Sequence, residues 1–237
     1  MDSLHLVVVP SPFANMTPLY EVAPEADLLL IIPPYTPSPS PSPSSPSPVP
    51  TAGLRLKLSS AHLTLASRAF RTKLQQHHTK QSDNRTHLSL PAGVFDPRAV
   101  TTVMNAVHGR GSKVPRALED IGGVETLAHI ARVVEVFGLL DAVAVYADRW
   151  IDGLVATRGG LSRVGGREAV LWVYASRVFR RADVFRVVTG VVAAGAVGVV
   201  DGFGFSLGEK VLRDIESQRQ QLVSAALDML DDVVDEL

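Results

Sequence analysis

The feature that most constrains the fold of this chain is a short segment in which apolar and basic residues alternate, followed directly by a segment with helical spacing. In Leu54–Leu58 the leucines lie on one side of a period-of-two pattern and basic residues on the other, the pattern of a half-buried β-strand. Ser59 and Ser60 then offer oxygens that can cap a helix. Helical spacings of three and four residues follow, at Leu63, Ala66, Ser67 and Phe70. We therefore expect a strand, a serine turn and the start of a helical hairpin in direct succession.

The composition is that of a globular protein. The chain has 237 residues, of which 46% are hydrophobic and 20% charged, enough for one well-buried core and a second helical unit. The net charge is −1 and no dense run of Lys or Arg occurs, which argues against direct binding of nucleic acid. Because cysteine is absent, disulfides, thiolate zinc sites and cysteine nucleophiles are excluded.

The sequence predicts no targeting or membrane segment. The first residues lack a basic region, and Pro10 interrupts their apolar run, so we expect no signal peptide. The longest uncharged apolar run, 187–200, contains three glycines and is shorter than the roughly 20 residues that a membrane-spanning helix needs. We expect a soluble intracellular protein of the cytoplasm or nucleus, without membrane contact.

A low-complexity segment rich in proline and serine interrupts the first half of the chain. Residues 33–50 hold nine of the sixteen prolines and lie between the candidate strands 27–32 and Leu54–Leu58. We therefore predict a long, disordered insertion in a β-hairpin. Two interpretations of its role stay open: a passive insertion, which is favoured, or a docking site for proline-binding modules or proline-directed kinases.

The middle of the chain predicts one more strand and a series of helices. Thr86 to Leu90 alternates like a strand, and Asp96-Pro97 is typical of a capped helix start, with a helix extending to about His108. Two amphipathic helices follow, one with Leu127, Ala131, Val134 and Phe137 and one with Leu140, Val143, Ala147, Trp150 and Leu154. Glycines in 158–166 indicate a domain boundary.

The last third is helical by pattern. Ser206 and Glu209 have the spacing of a capping box, which predicts the start of a long helix. Its apolar stripe consists of Val211, Leu212, Ile215, Leu222, Leu230 and Val234. Two interpretations remain: a coiled-coil dimerisation helix, or a helix packed on its own domain. The second is favoured because Gln218 and Arg219 interrupt the stripe.

This order of elements resembles BTB/POZ domains, particularly the fungal type, over about residues 23–154. The matching positions are Asp27 with Leu28–Ile32; Leu56, Leu58, Leu63, Ser67 and Phe70; Leu88, Leu90 and 97–108; the turn at His108, Gly109 and Arg110; Leu127, Ala131 and Phe137; and Trp150 with Ile151. The segment from Leu171 to Phe179 resembles the helical C-terminal extension of many fungal members.

The resemblance implies an α+β fold with a small three-stranded sheet and helical hairpins, followed by an α-helical C-terminal region. It divides the chain into an N-terminal arm (1–22), a BTB/POZ-like domain (23–157, including the insertion 33–50) and a helical extension (163–237). It also implies homodimerisation, in which residues 4–9 of the arm add a strand to the partner's sheet. A disordered terminus is the alternative for these residues.

The function implied is protein–protein interaction, as a dimerisation module or scaffold without catalysis or cofactor. The alternative is a substrate adaptor of a cullin-RING ubiquitin ligase. His78, Thr79 and Lys80 stand where cullin-binding members tend to carry an apolar residue and a glutamate, so the usual local contact is not supported. Animal members often carry a histidine and a basic residue at the positions of Ser59 and Ser60, and in some of them the basic residue pairs with the strand aspartate to form a charged pocket. Because this chain has serines there, the resemblance implies no such ligand pocket.

The sequence contains no motif that indicates an enzyme. The chain has no nucleophile elbow, phosphate loop or dinucleotide fingerprint, so we name no catalytic, cofactor-binding or metal-binding residue. His77 and His78 are adjacent without further ligands at helical spacing, and His129 with Glu125 lacks a third ligand. His108, at a helix end, is expected to interact with the last carbonyl groups.

Overall fold

The computed structural model describes residues 17–36, 51–76, 85–195 and 200–235. Within them the predicted α+β class is confirmed: a small mixed sheet is followed by a predominantly helical region. The strands are β1 (Leu19–Glu21), β2 (Leu28–Ile32), β3 (Leu54–Leu58) and β4 (Thr86–Ser89). The helices are α1 (Ser60–Ala66), α2 (Arg68–Gln76), α3 (Pro97–Val107), α4 (Gly123–Phe137), α5 (Leu140–Arg158), α6 (Gly166–Val178), α7 (Ala182–Gly195) and α8 (Glu209–Asp235).

The sheet has four strands in the order β1-β3-β2-β4, so the prediction of three strands is wrong. β2 is antiparallel to β3 and parallel to β4, and β1 adds a parallel edge to β3 with Tyr20 opposite Leu56. Residues 19–21, which the sequence placed in the N-terminal arm, therefore pair within the sheet. A three-residue strand is too short for an alternating pattern, which is why the sequence did not reveal it.

The hairpin that carries the proline-rich insertion is present as predicted, since β2 and β3 pair antiparallel along their whole length. Beyond them Tyr35 and Thr51 exchange two backbone hydrogen bonds, of 3.0 and 2.7 Å, at the base of the insertion. Disorder was predicted for 33–50, and this is wrong at Tyr35, which is buried and held in this bridge. Residues 37–50, the rest of the predicted disordered segment, lie outside the described residues.

The helical hairpin is two helices, because the chain breaks at Ser67. Ser67 adopts an extended backbone conformation (φ −140°, ψ 122°) between α1 and α2. Its buried hydroxyl donates to the carbonyl oxygen of Phe137 at the end of α4 and accepts the N–H of Phe70 at 3.1 Å. One side chain thus caps α2 and connects the hairpin to α4.

The prediction that serine oxygens cap α1 is wrong, because the capping oxygens come from another residue. Ser59 occupies the cap position but makes no side-chain hydrogen bond there. Instead the Asp27 carboxylate, at the start of β2, accepts the backbone N–H of Ser60 at 2.7 Å and also its hydroxyl. A charged acceptor at a helix N-terminus is favourable for the free amides and the helix dipole, so α1 is capped from the sheet.

The prediction for α3 is confirmed. The helix begins at Pro97, and the Asp96 carboxylate accepts the N–H of Arg98 at 2.6 Å. Its inner face buries Val100, Val103 and Met104.

The C-terminal helices pack in sequence on the body. α6 packs against α4 and α7, and α8 packs against α7. The buried side chains form one continuous cluster from the sheet to Ile215 in α8. The loop between α5 and α6 coincides with the boundary predicted at 158–166, and the division into a domain and an extension stays a prediction.

The capping box predicted at Ser206 and Glu209 is wrong. α8 begins at Glu209 itself, directly after Gly208, whose φ of +83° ends the preceding turn. A capping box would require Glu209 at the third helical position. The Ser206 carbonyl accepts a hydrogen bond from Arg177 instead, at 3.0 Å.

We predict that Ser67→Ala lowers the free energy of unfolding by about 1–3 kcal/mol, because it leaves the buried Phe137 carbonyl without its donor and removes the cap of α2. Ser59→Ala is the matched control, since its hydroxyl makes no capping bond, and it should change stability by less than about 0.5 kcal/mol. Urea denaturation measures both. Equal effects of the two substitutions would contradict the assigned role of Ser67.

Candidate interaction surface

The first part of α8 is fixed to the body by apolar contacts. Val211, Leu212 and Ile215 belong to or pack against the continuous core, and Ile215 is only 2% exposed. A gap of about 400 Å³ lies between α7 and this part of α8. Phe185 and Thr189 line it from α7, and Ile215 and Gln218 from α8.

The second part of α8 carries apolar side chains that are exposed. All residues in 220–232 are exposed. The large apolar ones among them are Leu222 (50% exposed), Val223 (48%), Leu227 (56%), Met229 (68%) and Leu230 (61%). We call these five side chains the α8 apolar face. The preference for a helix packed on its own domain is therefore correct up to Ile215 and wrong beyond it, within the described residues.

The α8 apolar face continues the buried face of the same helix. At 100° per residue, Ile215 and Leu222 point within about 20° of one another, and Leu212 and Leu230 point in the same direction. The five side chains occupy a sector of about 160° on the helix circumference. The side that packs on α7 near the start of α8 is thus the side that is uncovered near its end.

The charge of this helix end has one sign. After Arg219 every charged residue of the chain is acidic: Asp228, Asp231, Asp232, Asp235 and Glu236. Helical geometry places Asp231 on one side of the α8 apolar face and Asp232 on the other. Since the carboxyl end of a helix carries a partial negative charge and no basic residue lies in the last turn, the carboxylates of Asp231 and Asp232 are unfavourably placed near that end.

Ion pairs and aromatic rings hold α6 and the segment before α8 on α4. Glu135 of α4 accepts hydrogen bonds from the Tyr174 hydroxyl at 2.8 Å and from Arg177 at 2.7 Å. Burial, reinforced by the adjacent Glu135 charge, raises the pKa of Tyr174 strongly, so its hydroxyl stays protonated as a donor. The Phe205 ring packs against Tyr174 (centroids 4.9 Å apart), so the start of α8 has a defined position.

His129 and Glu125 form a structural group in α4. His129 is buried, and its Nε2 lies 3.5 Å from Glu125 and 3.4 Å from the Tyr35 hydroxyl. Burial alone would raise the pKa of Glu125, but the His129 hydrogen bond and the Arg167 charge outweigh it and lower this pKa. Arg167 of α6 pairs directly with Glu125, so this group also connects α6 to α4.

Among the described residues no group of three or more His, Asp or Glu side chains is arranged to hold a metal ion. His77 and His78 lie outside the described residues, as do His78-Thr79-Lys80 and residues 4–9. Of the helices that are described, none combines the length and the apolar character that crossing a membrane requires.

His108 lies in a small cleft beside the sheet, and its predicted contact with a terminal carbonyl is confirmed. Its Nδ1 lies 2.8 Å from the Met104 carbonyl, and its Nε2 accepts the N–H of Ser59 at 3.0 Å. The His62 ring stacks on it with centroids 5.0 Å apart. Burial lowers the pKa of His108; the Met104 bond opposes this shift, and the nearby His62 charge adds to it.

The sequence named part of the α8 apolar face but not its exposure. Leu222 and Leu230 were in the predicted stripe, whereas Val223, Leu227 and Met229 were not. A signal was present: Val223, Leu227, Leu230, Val234 and Leu237 recur at spacings of four and three. The interruption at Gln218 and Arg219 separates the packed part of the helix from the exposed part.

Comparison of the chain with protein-family models and with curated proteins found no match.

We predict that stability falls as the pH drops below about 6.5, the ordinary histidine value. The folded state disfavours the proton on His108 and the unfolded state does not, so protonation favours unfolding. His108→Gln should flatten the dependence of unfolding free energy on pH between 7.5 and 5.5. His62→Gln, which leaves His108 in place, should retain most of it. An unchanged pH slope in His108→Gln would show that another group dominates.

Proposed function

We propose that this protein is a protein-binding module of BTB/POZ-like type, acting as a dimerisation or scaffold protein without chemistry of its own. The observation that carries the proposal is the α8 apolar face, which no other described part of the chain covers. A contiguous exposed apolar patch on a helix is typical of a surface that is buried in a complex. Complete burial of a fully exposed Leu or Met contributes about 1.5–3 kcal/mol, and because these side chains are already partly covered each contributes less than that.

The order of elements supports the BTB/POZ-like part of the proposal. The β2–β3 hairpin is followed by the α1–α2 hairpin, β4, α3 and the α4–α5 pair, and then by further helices. Ser67, Phe70 and Phe137, three positions of the resemblance, meet in the core: the Ser67 hydroxyl donates to the Phe137 carbonyl, and the rings of Phe70 and Phe137 stack with centroids 4.7 Å apart. They connect the helical hairpin to α4.

The remaining expectations stay predictions. Homodimerisation through residues 4–9 concerns a segment outside the described residues, and the same holds for the local cullin contact at His78-Thr79-Lys80. The cullin-adaptor role therefore stays the alternative that the resemblance implies. An intracellular location likewise stays a prediction.

We predict that the double substitution Leu227→Ser/Leu230→Ser abolishes association with partner proteins and leaves the fold intact. Because both side chains are exposed, the free energy of unfolding should change by no more than about 1 kcal/mol. Val145→Ser is the matched control, an exposed apolar residue of α5 away from α8. Light scattering of the purified chain measures self-association, and affinity capture from cells of the source organism measures binding of other proteins.

The proposal expects association, of either kind, that wild type and Val145→Ser share and that the double variant lacks. It fails if wild type is monomeric and retains nothing that the double variant does not also retain.

A further inference from the structure

We infer that the α8 apolar face binds a basic amphipathic helix of another protein. This inference rests on the proposed function and names the chemical class of the partner. It is carried by two properties of the same helix end, namely an uncovered apolar sector and flanking charges that are all acidic.

The shape of the surface suits a helix. Leu222 to Leu230 extends over about 12 Å of helix, and its side chains recur at the spacings that a second helix can interdigitate with. At its inner end the surface continues towards the gap between α7 and α8, beside Ile215 and Gln218. A partner helix can therefore begin against α7 and follow the exposed length of α8, as in other helix-in-groove complexes.

The charges select the sign of the partner. Asp231 and Asp232 lie on opposite sides of the α8 apolar face, where residues of a docked helix would flank it. Lys or Arg at those flanking positions would be attracted from both sides and would also offset the unfavourable carboxylates at the helix carboxyl end. Acidic flanks on the partner would be repelled at the same positions.

A second copy of this chain complements the surface poorly. In a parallel pair the acidic ends of the two α8 helices would lie side by side. In an antiparallel pair each acidic end would face 218–223, where Arg219 is the only cation. Arg219 is already paired with Glu216 at 2.6 Å. Self-association through this face therefore accumulates negative charge.

The undescribed N-terminal segment is also a poor occupant. Residues 1–16 include apolar side chains, but Asp2 is their only Asp, Glu, Lys or Arg residue. Binding of this segment would cover apolar area without neutralising any carboxylate of α8. A basic helix does both.

The test uses the full-length chain and two fluorescent synthetic 18-residue peptides. Both have leucines at helical spacings of three and four; one has lysines at the flanking positions and the other glutamates. Fluorescence anisotropy at low and moderate salt gives the affinity of each. We expect the lysine peptide to bind at least ~10-fold more tightly than the glutamate peptide, with an affinity that falls as salt rises.

Protein variants locate the binding. Leu227→Ser/Leu230→Ser should lower the affinity for the lysine peptide by more than about 10-fold. Asp231→Asn/Asp232→Asn should lower this affinity by about 3- to 10-fold and make it less dependent on salt. Glu25→Gln/Asp120→Asn is the matched control, because it removes the same charge from exposed positions elsewhere, and it should leave the affinity unchanged.

Several results would overturn the inference. Equal binding of both peptides, or lysine-peptide binding that survives the double leucine substitution, would show that the face does not select a basic helix. Absence of peptide binding in a chain that dimerises through Leu227 and Leu230 would assign the face to a second copy, and the proposed function would stand. Absence of peptide binding in a monomer that captures other proteins through these leucines would likewise remove only the basic partner. A monomer that neither binds the peptide nor captures any protein would overturn both.

Discussion

Strand β2 is the element on which the rest of the structure depends. All five of its residues are buried, and it pairs with β3 on one side and β4 on the other. Asp27, immediately before it, accepts two hydrogen bonds from Ser60 and so determines where α1 begins. Because this strand is buried, its backbone N–H and C=O groups need partners within the protein, and β3 and β4 supply them on its two edges.

Helix α4 connects the sheet and the α1–α2 hairpin to the C-terminal helices. The Phe137 carbonyl at its end accepts a hydrogen bond from the Ser67 hydroxyl, and Glu125 and Glu135 form ion pairs with α6. The partners of these carboxylates, Arg167 and Arg177, lie at the two ends of α6, so α6 has a fixed direction along α4. α7 packs on α6 and α8 on α7, which gives the start of α8 a defined position relative to the sheet.

The two parts of α8 differ: the first follows the usual pattern of burial and charge in a helix, and the last does not. Its first part follows the usual rule that apolar side chains are buried, as Ile215 is. Its last part exposes leucines and places carboxylates where the helix dipole disfavours them. Such conflicts between local chemistry and the folded state are concentrated at functional sites, where a partner resolves them. The basic helix that we propose would cover the leucines and neutralise the carboxylates together.

The sequence by itself determined the α+β class, the β2–β3 hairpin, the cap of α3 and the succession of helices, because periodicity and capping residues act over a few neighbouring positions. Only the tertiary structure decided the features that depend on residues far apart in the chain. β1 is held by its pairing with β3, with Tyr20 opposite Leu56, and the break at Ser67 is stabilised by the hydrogen bond from its hydroxyl to the carbonyl of Phe137. The same holds for α8: its stripe is one pattern in the sequence, and the extent of α7 beside it decides which leucines are covered and which remain for a partner.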